Sequence, residues 1–190
     1  QPAAGDSGGA IGAALSVWYL YHQSERKIIS QSDAMKGSYL GPEFTDKEIE
    51  SELKECGAFY TKLTEEELIN SVSVSLADGK AIGWMQGRME FGPRALGGRS
   101  ILADPRSPIA QTQLNLKVKY RESFRPFAPS VLTEDLSEWF ELNEESPYML
   151  IVANIKKNKR LGIKEKKAEL GIKKLKVPRS LVPAITHVDY

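Results

Sequence analysis

Cysteine is nearly missing from this sequence: Cys56 is the only one in 190 residues. One thiol cannot close an intrachain disulfide or supply a multi-thiolate zinc site alone, so a disulfide-stapled secreted scaffold is excluded and a reducing, cytoplasmic setting fits. Cys56 itself reads as a small core residue. Histidine is almost as scarce. His22 and His187 are the only two, and neither has a partner at metal-ligand spacing, so both read as packing or surface residues. Long apolar runs are lacking as well: the longest, Ala10 to Tyr21, has 12 residues, against the roughly 20 that a membrane-spanning helix needs. No basic segment precedes it, which argues against a secretory leader. There is no methionine at position 1, and Gln1-Pro2-Ala3-Ala4-Gly5-Asp6 reads as the interior of a loop in a longer protein.

Net charge is the last thing in short supply. Lys and Arg number 26 and Asp and Glu 25, leaving +1, a balance that speaks against a dedicated nucleic-acid or membrane-surface protein. The total conceals unequal blocks. Residues 43–67 hold nine acids and three lysines, and residues 133–145 hold six acids and no base, so each carries −6. Residues 87–125 hold eight bases and three acids for +5, and residues 156–176 hold ten bases and two acids for +8. The acidic blocks sit on predicted helices, where a charged outer face is ordinary solvated surface. The 156–176 block reads as a mobile surface loop or a short exposed helix. Only in 87–125 are arginines interleaved with glycine, proline and aromatics.

With 41% hydrophobic residues, the chain can build one domain or two small ones. Gly8 to Gln23 shows the spacing of a buried helix, with Ala10, Ala13, Ala14, Val17, Trp18 and Tyr21 on one side. Residues 24–42 read as a linker. Thr45-Asp46-Lys47-Glu48 and Thr64-Glu65-Glu66-Glu67 are capping boxes that start two helices, the first ending at Cys56-Gly57. Ala58 to Tyr60, Ala81 to Gln86, Ser100 to Ala103, Pro126 to Leu132, Tyr148 to Ile155 and Ala184 to His187 are strand candidates. Ser107-Pro108 is read as the start of a helix running to about Lys117, and Glu134 to Leu142 as another helix. This alternation predicts an α/β domain, with α+β as the variant, from about residue 43 onward.

The chemistry concentrates in Gly87-Arg88-Met89-Glu90-Phe91-Gly92-Pro93-Arg94-Ala95-Leu96-Gly97-Gly98-Arg99-Ser100. Glycines and a proline fix a tight path from which three guanidiniums emerge, and anions would offset their mutual repulsion. The planar fork of arginine suits bidentate contact with phosphate oxygens. The alternative is a structural loop whose arginines pair with Glu90, Asp104 or Glu122; the run matches neither the P-loop nor the dinucleotide fingerprint. A second run, Asn115-Leu116-Lys117-Val118-Lys119-Tyr120-Arg121-Glu122-Ser123-Phe124-Arg125-Pro126-Phe127-Ala128-Pro129, leaves a helix and enters a proline-bounded segment. In extended chain, positions 117, 119 and 121 would face one side. The two runs could close on one polyanion such as ATP or an acyl phosphate.

Gly87-Arg-Met-Glu-Phe-Gly-Pro-Arg-Ala-Leu-Gly, followed by Lys119-Tyr-Arg-Glu-Ser-Phe-Arg-Pro-Phe-Ala-Pro, resembles the C-terminal part of the NodU/CmcH-type O-carbamoyltransferases, which include nodulation proteins. Gln1-Pro-Ala-Ala-Gly-Asp-Ser-Gly-Gly-Ala-Ile-Gly-Ala-Ala-Leu resembles the end of that family's first domain, an actin-like ATPase fold. The resemblance implies that 1–23 ends this carbamoyl-transfer domain, that 24–42 is a linker, and that 43–190 is a YrdC-like domain with a mixed twisted sheet and flanking helices, incomplete at its C-terminus. It implies that the second domain combines ATP with carbamoyl phosphate to give carbamoyl-adenylate and pyrophosphate. The first domain, holding a divalent metal, iron or magnesium, then passes the carbamoyl group to a hydroxyl of a sugar or natural product. On matching positions, Arg94, Lys119 and Arg125 would bind carbamoyl phosphate and the ATP phosphates. Arg88, Arg99 and Arg121 rank behind them as phosphate-binding, second-layer or structural residues. Asp6 matches a metal-ligating aspartate, although a helix cap explains it equally, and the histidine pair of the family is absent. The chain also stops at Tyr190, where the family continues into an Asn-Thr-Ser-Phe-Asn motif. The partners implied are a small hydroxyl acceptor and the remainder of a longer chain, with no membrane. Against the enzyme reading stand two others: an RNA-binding YrdC-like module, for which Tyr120, Phe124 and Phe127 would have to stack bases although their flanking prolines suggest packing, and a structural fragment inactive alone.

Overall fold

In the computed structural model, residues 3, 5–28, 33–162 and 177–185 are described. The most local signals translate directly. Helix α2 spans Asp46–Glu55 and α3 spans Glu65–Ala77. Thr45 Oγ1 accepts the Glu48 N–H at 3.3 Å while Glu48 Oε2 accepts the Thr45 N–H at 2.7 Å. Thr64 and Glu67 repeat the exchange at 3.3 and 2.8 Å. Two of the four orphan donors at each N-terminus are thereby satisfied. Gly57, at φ 67°, turns the chain out of α2, with the Ala58 N–H closing onto Leu53 O at 2.9 Å. Cys56 occupies the C-cap and is exposed rather than core; its thiol faces the last turn, 3.4 Å from Leu53 O.

Strands β1 (Ile82–Met85) and β2 (Arg99–Leu102) pair as a two-stranded antiparallel sheet, close to the expected bounds. Mixed helix and small sheet agree with the α/β class at that coarse level. The other strand candidates do not form strands. Ala58 to Tyr60 and Pro126 to Leu132 lie outside any strand, and in the latter Pro126 and Pro129 offer no N–H to a ladder. In Tyr148 to Ile155 only Ile155 pairs, in a single antiparallel bridge with Phe140. Pro183–Ile185 is a 3₁₀ turn, and the rest of the 184–187 candidate, His187 included, lies outside the described residues. So does 163–176, most of the second basic block.

The other helices are shorter or less buried than their spacing suggests. Helix α1 spans Asp6–Ser16 and continues as a π-turn over Val17–Tyr21. Only Gly8 is buried on it; Leu15, Val17, Trp18, Leu20 and Tyr21 are all exposed, Tyr21 by 81%. The expectation of a buried helix is thus corrected: no described residue covers its apolar side. The helix expected from Ser107 begins later. Helix α4 is Ala110–Gln113, with Ile109 at its N-cap, and passes into a π-turn over Leu114–Val118. The predicted 134–142 helix is a 3₁₀ turn, Thr133–Asp135, leading into α5, Leu136–Trp139, which ends where Phe140 turns extended (φ −124°, ψ 152°).

By packing, the chain divides into two units. One comprises Gln1–Lys62, Gly83–Ser100 and Ser146–Ile151; the other comprises Leu63–Ile82, Ile101–Glu145 and Val152–Tyr190. In the first, residues 38–42 lie along 89–91: the Gly41 N–H donates to Met89 O at 2.9 Å, the Met89 N–H to Pro42 O at 3.0 Å, and the Phe91 N–H to Ser38 O at 2.6 Å. A Cβ on Gly41 would stand 2.8 Å from Met89 Cβ, so this close approach requires glycine. A turn at Asp33 is tied in by its carboxylate, which accepts from the Met35 and Gly37 N–H groups and from the Tyr148 hydroxyl. In the second unit, Ala110, Leu114, Ile155, Val182 and Ala184 are the buried apolar side chains among the described residues. Antiparallel bridges, Phe140 with Ile155 and Arg160 with Ser180, stitch its edges.

Candidate functional site

In the first unit, the run 86–99 is a closed loop organised by one carboxylate. Its base is pinned by the Gln86 N–H on Gly98 O at 2.8 Å. Inside, Glu90 Oε1 accepts three main-chain N–H groups, from Leu96 at 2.9 Å, Gly98 at 2.7 Å and Arg99 at 3.1 Å. Burial alone would push the Glu90 carboxyl up; these N–H groups outweigh it and hold the carboxyl below its usual range. The Tyr39 hydroxyl donates to Leu96 O at 2.6 Å, so Leu96 is held at both its N–H and its C=O. Burial, then the nearby Glu90 charge, raises the Tyr39 hydroxyl above its ordinary value. Gly98 is buried, and a Cβ there would lie 2.7 Å from Arg88 O and 3.1 Å from Glu90 Oε1. Only glycine fits that approach.

The three arginines of this loop have different surroundings. Arg99 Nη1 donates to Gln86 O, Gly87 O and Gly98 O at 3.1, 3.2 and 2.7 Å, knitting the loop to its own base. Arg88 donates to Gly41 O at 3.0 Å and lies 3.5 Å from Glu43. Arg94 is exposed and makes no hydrogen bond or ion pair among the described residues. The alternative pairing of loop arginines with Glu90, Asp104 or Glu122 is not what forms. Glu90 is taken by backbone and Asp104 by Arg106 at 2.7 Å, while Glu122 lies 3.6 Å from Arg125 in the other run.

In the second unit, the run 115–129 is built around Asn115, which is fully buried. Its Nδ2 donates to Ser123 O at 3.2 Å and Arg125 O at 2.8 Å, and its Oδ1 accepts Arg121 Nε at 2.7 Å. Gln111 Nε2 adds a bond of 3.2 Å to Arg125 O. The Arg121 guanidinium also lies over the Phe127 ring, 5.2 Å from its centroid. Between these anchors the chain turns sharply: Lys119 closes the π-turn onto Leu114 O at 2.9 Å, and Tyr120 takes φ 49°, which is strained for a side chain of its size. The expectation of extended chain through 117, 119 and 121 is therefore wrong: a π-turn runs to Val118 and Tyr120 takes a positive φ. Tyr120 is 85% exposed rather than packed. Lys117 and Lys119 are exposed and unpaired among the described residues, and Arg125 has only the weak surface pair with Glu122.

Asp6 is exposed as the first residue of α1, whose N-cap is Gly5 with no side-chain cap, so the cap explanation fails. Among the described residues no group of three His, Cys, Asp or Glu side chains could hold a metal. Asp6 supplies one carboxylate, which alone is not a metal site. No helix among the described residues is long and apolar enough to cross a membrane.

What the sequence did not flag is the pair of organisers. Glu90 is the one acid in the 87–100 loop, and Asn115 is the one uncharged amide heading the second basic run; both were available as signals, but their bonds reach groups six to ten residues away, most of them main-chain. Comparison with known proteins adds the wider frame. A family described as Carbamoyltransferase C-terminus matches residues 73–190, a span that includes both runs from Gly87 onward. An uncharacterized protein of Synechocystis sp. is 59% identical across the whole chain, which covers 31% of that relative. Nodulation protein NolO of Bradyrhizobium diazoefficiens is 42% identical across the whole chain, again 31% of the relative. The 3'-hydroxymethylcephem-O-carbamoyltransferase of Streptomyces clavuligerus is 38% identical over 63% of the chain and 19% of the relative. The chain thus spans about a third or less of the length of these relatives.

Proposed function

This chain belongs to the carbamoyltransferase C-terminus family, and from that premise we propose that it serves an O-carbamoyltransferase by activating the carbamoyl group. In this reading carbamoyl phosphate and water give carbamate and inorganic phosphate. A carbamate oxygen then attacks the α-phosphorus of ATP, the bond to the β-phosphate oxygen breaks, and carbamoyl-adenylate and pyrophosphate result. Transfer to a hydroxyl of a sugar or natural product follows; the name of the cephem relative supports that class of acceptor. A YrdC-like fold for the region from 43 onward is part of the same proposal.

Arg94, Lys119 and Arg125 are the proposed phosphate ligands. The observation that carries this is their availability: Arg94 and Lys119 are exposed cations with no internal partner among the described residues, on segments whose neighbouring cations Arg99 and Arg121 are consumed by the scaffold. Negative charge grows on the departing pyrophosphate during adenylation. A guanidinium held in place before the reaction stabilises that charge more than the dispersed ground state.

The test is carbamoyl-phosphate-dependent ATP–pyrophosphate exchange, using the protein at the full length its gene encodes. Arg94→Ala should lower the exchange rate by about 10²–10³-fold, the usual cost of removing one transition-state donor. Exchange at the wild-type rate in Arg94→Ala would remove that residue from the site.

A further inference from the structure

The Leu96, Gly98 and Arg99 N–H groups converge on one point, in the manner of the backbone nests that bind phosphate in other proteins. Here the point is already filled from within, by Glu90 Oε1 at 2.7 to 3.1 Å from all three. We propose that Glu90 is the positioning residue of the loop: an internal carboxylate that occupies this nest, fixes the path of residues 90–99, and leaves anion binding to the Arg94 side chain instead of the backbone. The inference rests on the phosphate-binding role proposed above for Arg94, and it adds how that guanidinium is held.

Three features make the nest a built one. Gly98 admits the close approach that any Cβ would block. Tyr39 clamps Leu96 O from the opposite direction. Arg99 ties the far end of the nest to Gln86 O and Gly87 O. Between Glu90 and Leu96 the five residues 91–95 are therefore closed into a short ring by a side chain, with Arg94 standing out from it. One oxygen taking three N–H groups is work for a full negative charge. A neutral amide at position 90 would offer a weaker acceptor.

The proposal is tested in the full-length protein with Glu90→Ala and Glu90→Gln, by hydrogen exchange over residues 90–100 and by the KM and kcat of carbamoyl-phosphate-dependent exchange. Glu90→Ala should speed hydrogen exchange in that segment and leave distant segments unchanged. It should also raise the KM for carbamoyl phosphate on the order of tenfold or more, as misplacement of a binding group does. Added formate, small enough to enter the vacated nest, should restore both protection and KM, whereas chloride at equal ionic strength should not. Glu90→Gln, which keeps the shape without the charge, should fall between wild type and Glu90→Ala. The proposal is overturned if Glu90→Ala leaves the segment protected, if formate acts no differently from chloride, or if Glu90→Gln matches wild type in both readouts. Should the wild-type protein show no carbamoyl-phosphate-dependent exchange, the functional reading fails, while hydrogen exchange and formate protection still decide the role of Glu90.

Discussion

Replacing Asn115 by alanine should loosen the 115–127 segment. The magnitude follows from three bonds. Two are amide-to-carbonyl bonds, to Ser123 O and Arg125 O, worth about 1 kcal/mol each. The third is a charge-assisted bond of 2.7 Å from Arg121 Nε, worth about 1.5–3 kcal/mol. Asn115 is fully buried, so no water stands ready to replace its side chain. Arg125 is exposed and Ser123 half-buried, which lets solvent recover part of the loss. The expected cost is therefore about 2–4 kcal/mol. Hydrogen exchange of peptides covering 111–127, read as a local opening free energy, measures it. Asn115→Asp separates the parts: the carboxylate can keep Arg121 but turns an oxygen toward two carbonyls. It should behave as badly as alanine near neutral pH and improve in acid, when the protonated oxygen donates again. A loss below about 0.5 kcal/mol in Asn115→Ala, the ordinary range for a surface substitution, would refute the reasoning.

Three further outcomes follow from the same geometry. Gly98→Ala places a Cβ 2.7 Å from Arg88 O and should weaken carbamoyl phosphate binding through displacement of the loop, with Gly83→Ala, whose Cβ meets nothing within 4 Å among the described residues, as the neutral control in equilibrium binding. Because the Glu90 carboxyl is held below its usual range, its contribution is fully present above the unfolded glutamate value of about 4.3. Protection of the Leu96, Gly98 and Arg99 amides, corrected for intrinsic rates, should therefore persist down to that region and fall as pH drops through the lower folded value. Burial and then the bond to Asp33 push the Tyr148 hydroxyl up to about 12. What this tyrosine contributes is present below about 10, the unfolded tyrosine value, and lost as pH rises through the folded one; Asp33→Asn should bring its spectrophotometric titration back toward 10.

The sequence was most legible where the physics is local. The capping boxes at Thr45 and Thr64 form as read because N-cap hydroxyl and N3 carboxylate lie within one turn of each other. Strands β1 and β2 also fall near their predicted bounds, flanking the glycine-rich loop. Misreadings came where alternation or apolar content had to stand for tertiary contact. Residues 126–132 look strand-like, yet Pro126 and Pro129 cannot feed a ladder. Alternation of 117, 119 and 121 presumed extended chain, and a π-turn followed by a positive φ at Tyr120 defeated it. Helix α1 carries an apolar stripe that no described residue covers. At the candidate site, glycine, proline and arginine marked the right segments. Which cations are free was not legible, because that depends on whether Asn115, Gly41 O or the carbonyls of 86, 87 and 98 reach them first.

The most direct measurement of the proposed chemistry is which phosphate bond of ATP breaks. ³¹P NMR of stoichiometric full-length protein with ATP and carbamoyl phosphate, and no hydroxyl acceptor, should show pyrophosphate, inorganic phosphate and an adenylate phosphorus, with wild-type protein far ahead of Arg94→Ala. ADP in place of pyrophosphate, or ATP left intact while carbamoyl phosphate is consumed, would contradict it.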